Sequence, residues 1–293
     1  MSKFKLKDFF VSINQRNWMT FLKESFFRSS TGIVYVIVVL GAIFLGGVYF
    51  YSLMSFMALI TVYEIVDMEF KGRPWWLKLI YGSVGLILWL VLYFVSLRLF
   101  LIVLFLLFFI WFFITSVLFK NEEDVISSSY YMFFFLLIYV LIGFYIGIDV
   151  YRMSGSIFFI SVLVMVWVFD VFSYVGGKTM GKMKLVPLIS PGKTWEGFIT
   201  GWLALTIVQV IMWLAGIWKL EPYTLGISVI LFAPILLSGD LIESVVKRKA
   251  GVKDSGFIIP GHGGMWDRVD STIAAFYFVW FLLYIQQVVN NVI

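Results

Sequence analysis

Long apolar runs follow one another along this chain, separated by short polar clusters, and within the runs polar and apolar residues do not alternate. A bilayer core of roughly 30 Å is crossed by about 20 apolar residues in a helix. Nine such runs can be marked, near 32–50, 52–69, 76–96, 99–118, 129–149, 155–176, 196–217, 223–246 and 269–289. A segment in lipid must satisfy its own backbone hydrogen bonds, and uninterrupted runs lack the two-residue period of a barrel strand. The pattern therefore predicts an all-α polytopic transmembrane bundle. Past Lys78, only Arg98 breaks the run from Leu77 to Phe119, which places a tight turn there.

Composition strengthens this reading: 62% of the 293 residues are apolar, 20% aromatic and 13% charged, far from the balance of a soluble domain. Absence of cysteine removes disulfides and thiolate chemistry, and the single histidine, His262, excludes a site built on two imidazoles. With nine spans, nineteen of the 22 Lys and Arg residues fall on the N-terminal side, and Arg98, Arg152 and Lys219 on the other. The positive-inside rule then puts the N-terminus in the cytoplasm and the C-terminus outside. Residues 1–31 mix basic and aromatic side chains and read as an amphipathic segment on the membrane surface, with a solvated tail as the equal alternative. The remainder divides into scaffold helices over 32–150 and a catalytic region over 151–293, with cytoplasmic loops at 177–195 and 247–268. In the first half, Glu64, Asp67 and Glu69 at the end of the second span, and Glu122, Glu123 and Asp124 in a loop, read as solvated boundary charges without chemistry.

From Asp170 onward the pattern changes. Asp170 falls inside the cytoplasmic end of an apolar helix, where a carboxylate without a partner costs about 2.5–3.5 kcal/mol at mid-helix. Ser173 and Tyr174 share its face at i+3 and i+4, so a polar stripe faces the interior; a structural helix–helix hydrogen bond is the plainer explanation. Ser190 to Thr194 ends in Gly-Lys-Thr, but Pro187 occupies the place of the first glycine of a phosphate loop and no buried strand precedes it. What remains is a Pro/Gly turn delivering Lys193 and Thr194 to a helix start, with Glu196 in its first turn and free amides suited to an anion.

The strongest signal comes later. Asp240, Glu243, Ser244 and Lys247 fall at i, i+3, i+4 and i+7, so one helical stripe carries two carboxylates, a hydroxyl and an ammonium. Asp267 and Asp270 share a face as the last helix begins. Carboxylates from two helices without a histidine cluster suit a hard cation such as Mg²⁺, shared with substrate phosphates. The glycines around His262 let backbone amides approach an anion, and Lys247, Arg248, Lys253 and Arg268 supply positive charge. Together these are components of phosphoryl or nucleotidyl transfer. A solvated basic loop would account for Lys249, but not for Asp240 or the Gly-His-Gly-Gly turn.

Ser244-x-x-Lys247-Arg248, Lys253-Asp254, Pro260-Gly261-His262-Gly263-Gly264 and Asp267-Arg268-x-Asp270 resemble the signature of the phosphatidate cytidylyltransferase family. Upstream, Asp170, Tyr174, Gly177, Gly181-Lys182, Ser190-Pro191, Lys193-Thr194 and Glu196-Gly197 resemble the family's other long motif, so the resemblance covers about 170–270, a third of the chain. Gly192 departs from the usual Lys or Asn, which removes one phosphate contact, and Ser173 replaces Ala. The resemblance implies attack of the phosphate of phosphatidic acid on CTP, yielding CDP-diacylglycerol and pyrophosphate at an inner-membrane site facing the cytoplasm. It implies Mg²⁺ on Asp240 and Asp267, with room for a second cation such as K⁺. Lys247, Arg248, Lys253 and Arg268 would neutralise phosphates, and His262 would donate a hydrogen bond or organise its loop. Asp170, Tyr174, Ser190, Lys193, Thr194, Glu196, Ser244, Gly263 and Gly264 would contact substrates, and Glu243 and Asp270 would orient the metal ligands. Membrane lipids are the expected surroundings and nucleic acid is not an expected partner; the family is compatible with a homodimer. A CTP-dependent lipid kinase, a cytidylyltransferase for another lipid, and a cation-coupled transporter are the alternatives. Transport would spread charges across membrane depth, and here they gather at one face.

Overall fold

A computed structural model describes residues 31–72, 74–94, 128–258 and 263–292, with 128–132 and 291–292 described by their backbone. The expected surface segment up to residue 30, the Arg98 turn, the span at 99–118, the acidic cluster at 122–124 and His262 lie outside these residues. The helices are α1 (Thr31–Leu45), α2 (Gly47–Glu69) and α3 (Trp75–Phe94). A helical run over Ser128–Met180 is interrupted at Gly155, giving α4 (128–154) and α5 (156–180). After it come an antiparallel pair of short strands, β1 (Lys184–Val186) and β2 (Ser190–Thr194), then α6 (Trp195–Leu214), α7 (Pro222–Lys249) and α8 (Trp266–Val292). Counting the Ser128–Met180 run once, six helices among the described residues are long and apolar enough to cross a membrane, and α1 is a shorter apolar helix. The chain is an all-α, multi-pass membrane protein, and eight of the nine expected spans coincide with described helices.

Two boundaries fall elsewhere than hydropathy places them. The first span ends at Leu45 because Gly46 and Gly47 both have positive φ, 64° and 49°, a conformation that stops a helix and that glycine reaches without a Cβ penalty. The loop expected at 150–154 is helical, and the turn narrows to Gly155 alone, with φ 79° and ψ 178°. Across it the chain folds back: Gly147 and Phe159 both approach Phe276, and Phe144, Leu163 and Trp167 line one small pocket.

Side chains sort by solvent in the sense expected of lipid. On α6, Ile199, Leu203, Ile207, Ile211 and Leu214 form an exposed apolar stripe, while Gly197, Gly201, Leu205 and Gln209 face the bundle at four-residue spacing. Because lipid supplies no hydrophobic drive between helices, association rests on close backbone approach. At Gly201 a Cβ would sit 2.0 Å from Ser173 Oγ and 2.9 Å from the Phe169 carbonyl, and at Gly197 it would sit 2.6 Å from the Ser173 carbonyl. These glycines bring α6 against α5 where Asp170 and Ser173 lie. The C-terminal ends of α2, α5 and α7 and the starts of α6 and α8 meet at one end of the bundle, where the polar side chains gather.

Candidate active site

Four helix ends and the strand pair enclose a cavity of about 460 Å³. Asp170 from α5, Lys193 from β2, Asp240 from α7, and Asp267 and Asp270 from α8 share its wall. The hairpin that delivers Lys193 is pinned at both strands. Glu196 accepts from the Met183 amide at 3.1 and 3.2 Å through its two oxygens, and Thr194 caps α6 by accepting from the Gly197 amide at 3.2 Å. Ser190, Gly192 and Thr194 also line the cavity, as do Tyr174 and Lys178, whose side chains lie 3.5 Å apart.

The α7 stripe forms as the spacing requires, with partners its sequence could not name. Asp240 pairs with Lys193 and accepts from Ser244 Oγ at 3.1 Å. One turn on, Lys247 lies between Glu243, at 2.9 Å, and Asp267, at 2.6 Å. The other Asp267 oxygen accepts from the Ser255 amide at 2.9 Å, the Ser255 hydroxyl at 3.1 Å and the Gly264 amide at 2.8 Å. Gly263, at φ 83°, leaves no room for a Cβ, which would lie 2.6 Å from Asp267 Oδ2. Arg248 turns away from the stripe, donating to the Ile189 carbonyl at 3.2 Å, and so ties the strand pair to α7. Lys253 and Arg268 are exposed, and Arg268 also borders the small pocket between α1, α2, α4, α5 and α8.

Asp170 therefore reaches open cavity in place of an interior partner: among the described residues it has no ion pair. Asp270 accepts from the Ser271 amide at 2.7 Å and has no ion pair there either. Four carboxylates on one wall repel one another, and an added cation relieves that repulsion. Among the described residues no three acidic or imidazole side chains converge tightly enough to form a closed metal site. The donor set is oxygen throughout, so it fits a hard cation that keeps waters and completes its shell with substrate phosphates. Asp170 and Asp270 have no ion pair among the described residues and could hold one directly, whereas Asp240 and Asp267, the expected ligands, would first have to give up Lys193 and Lys247.

Glu64 corrects one expectation outright. It is not a solvated boundary charge but is 2% exposed, with its carboxylate against the start of α8. It accepts from the Met265 amide at 2.8 Å, the Trp266 amide at 2.9 Å and Ser255 Oγ at 2.9 Å. Asp67, by contrast, does lie at the surface, paired with Lys78 at 2.5 Å. The signal for Glu64 was present in the sequence: an acid five residues inside the end of an apolar helix, the same cue that singles out Asp170. Nothing comparable marked Ser255, a buried loop serine.

The model of a family described as the cytidylyltransferase family matches residues 26–286. Curated relatives named phosphatidate cytidylyltransferase include one from Staphylococcus haemolyticus, 44% identical over 125 residues, which is 41% of this chain and 46% of that protein. Another, from Rickettsia prowazekii, is 46% identical over 113 residues, 36% of this chain and 50% of the relative. A third, from Staphylococcus aureus, is 45% identical over 138 residues, 45% of this chain and 51% of the relative. The chain spans about half the length of the curated relatives it matches.

Proposed function

This chain belongs to the cytidylyltransferase family, and on that premise we propose that it transfers the cytidylyl group of CTP to phosphatidic acid, forming CDP-diacylglycerol and pyrophosphate in phospholipid synthesis. The observation that carries the reading is the 460 Å³ cavity at one end of a lipid-embedded bundle, walled by four aspartates and Lys193. Its volume lies within the roughly 300–1,000 Å³ of small-molecule sites. It opens where apolar helix faces give way to basic loops, so a lipid keeps its tails in the bilayer while a nucleotide arrives from the aqueous side. The bias of Lys and Arg to this end supports a cytoplasmic orientation in the inner membrane.

The chemistry asks little of a general base. A phosphomonoester carries about −1.5 to −2 charge at pH 7 and is already nucleophilic. Its oxygen forms the new bond to the α-phosphorus, the bond to the β-phosphate oxygen breaks, and the electron pair leaves with pyrophosphate. Lys193 can exchange Asp240 for an incoming phosphate, and Lys247, locked between Glu243 and Asp267, holds Asp267 facing the cavity. Mg²⁺ bound at the aspartates would supply charge neutralisation for the triphosphate. The test is turnover of the detergent-purified protein with phosphatidic acid, Mg²⁺ and CTP labelled at the α-phosphate. Label should enter the organic phase and fail to do so without Mg²⁺ or in Asp267→Asn. Label that moves only from the γ-phosphate would replace this reading with a lipid kinase.

A further inference from the structure

The catalytic loops are held by a carboxylate from the opposite half of the chain. Glu64 lies on α2, and its three hydrogen-bond donors come from residues 191 to 202 positions later. Two are the amides of Met265 and Trp266 at the start of α8, where helix amides lack intrahelical partners and the dipole favours an anion. The third is the Ser255 hydroxyl, which also lies 3.1 Å from Asp267 Oδ2. One hydroxyl has a single proton, so Ser255 bridges the two carboxylates and donates to one at a time. The loops close tightly on this carboxylate: a Cβ at Gly256 or Gly264 would come within 2.6 Å of Glu64 Oε1. A continuous chain thus runs from Glu64 through Ser255 and Asp267 to Lys247 and Glu243, joining α2, the 253–258 loop, α8 and α7.

We propose that Glu64 is a positioning residue for the transfer reaction: through Ser255 and the first amides of α8 it fixes the rotamer and placement of Asp267, and with it Lys247, before substrate arrives. This rests on the function proposed above. It also gives the N-terminal helices a role beyond scaffolding, because α2 supplies the anchor against which the active-site loops are set.

Glu64→Gln keeps the side chain's size but turns an amide NH₂ toward donors, and Ser255→Ala removes the bridge while leaving both amide bonds to Glu64. The expected loss in kcat is about 10–100-fold for each, the scale on which partners behind a metal ligand act. The KM for CTP should stay within about threefold, since Lys193 and the strand pair are untouched. If both act through one chain, the double variant should be no slower than the slower single one. Hydrogen exchange supplies a readout that needs no turnover: amides of 253–258 and 263–267 should exchange faster in either variant, while those of 184–194 do not change. Multiplying losses would overturn the proposal, and so would Ser255→Ala with wild-type kcat and exchange, a result that stands even if Glu64→Gln does not fold. Variants that show the exchange response while the wild-type protein transfers no label would instead remove the proposed function and leave the positioning of Asp267 by Glu64 standing.

Discussion

Lys247 offers the sharpest energetic test of this architecture. Its ammonium lies 2.9 Å from Glu243 and 2.6 Å from Asp267, and the three side chains are 13%, 2% and 10% exposed, so water screens them little. Replacing Lys247 with Met keeps the length of the side chain but leaves two carboxylates facing each other without a counter-charge. Breaking a buried pair in this way costs about 3–5 kcal/mol. With an unfolding entropy of about 2.1 cal/mol/K per residue, a chain of 293 residues shifts by about 1.6 °C per kcal/mol, so the thermal midpoint should fall by about 5–8 °C. Glu243→Gln is the contrasting change. One Glu243 oxygen is buried without a hydrogen-bond partner, and neutralising this side chain leaves Lys247 and Asp267 as a balanced pair. Its cost should stay near 1 kcal/mol, and in the Lys247→Met background it should recover at least about 1 kcal/mol, a coupling typical of groups in one network. The assay is thermal unfolding in detergent followed by the fluorescence of the 12 tryptophans. Lys247→Met unfolding within 2 °C of wild type, or Glu243→Gln falling as far as Lys247→Met, would refute the reasoning.

Three further outcomes follow from the geometry. Lys193→Met should leave the thermal midpoint almost unchanged, because its pair with Asp240 is 23% and 32% exposed and pairs open to water contribute about 0–1 kcal/mol; the KM for CTP should instead rise at least about tenfold in a steady-state titration. Gly201→Leu should destabilise by at least the roughly 1–3 kcal/mol of an overpacked core, since its Cβ alone would meet Ser173 Oγ at 2.0 Å, and the thermal midpoint reports it. Gly192→Lys should fold normally, because nothing lies within 4 Å of an added Cβ, and should lower the KM for CTP by about two- to fivefold by adding a cation to the cavity wall.

Hydropathy alone placed the helices over most of the chain, because lipid imposes on each segment a local requirement that apolar length satisfies or does not. Helical spacing alone also put Asp240, Glu243, Ser244 and Lys247 on one stripe, and the structure has them in two hydrogen-bonded groups, Asp240 and Ser244 with Lys193, and Glu243 and Lys247 with Asp267. Gathering of Asp170, Lys193, Asp240 and Asp267 around one cavity was legible too, from polar residues clustering at one end of their spans. The helix break at Gly46 and the one-residue turn at Gly155 were not, since a backbone dihedral leaves no trace in hydrophobicity. Nor could spacing tell that Lys247 faces two carboxylates where a phosphate was expected, or that Glu64 is buried while Asp67, three residues on, pairs with Lys78 at the surface. Those assignments depend on which helix end lies beside which, and only the packed bundle brings α2 within hydrogen-bonding distance of residues some two hundred positions away. A charge inside an apolar run announces that it needs a partner; identifying that partner is a property of the tertiary structure.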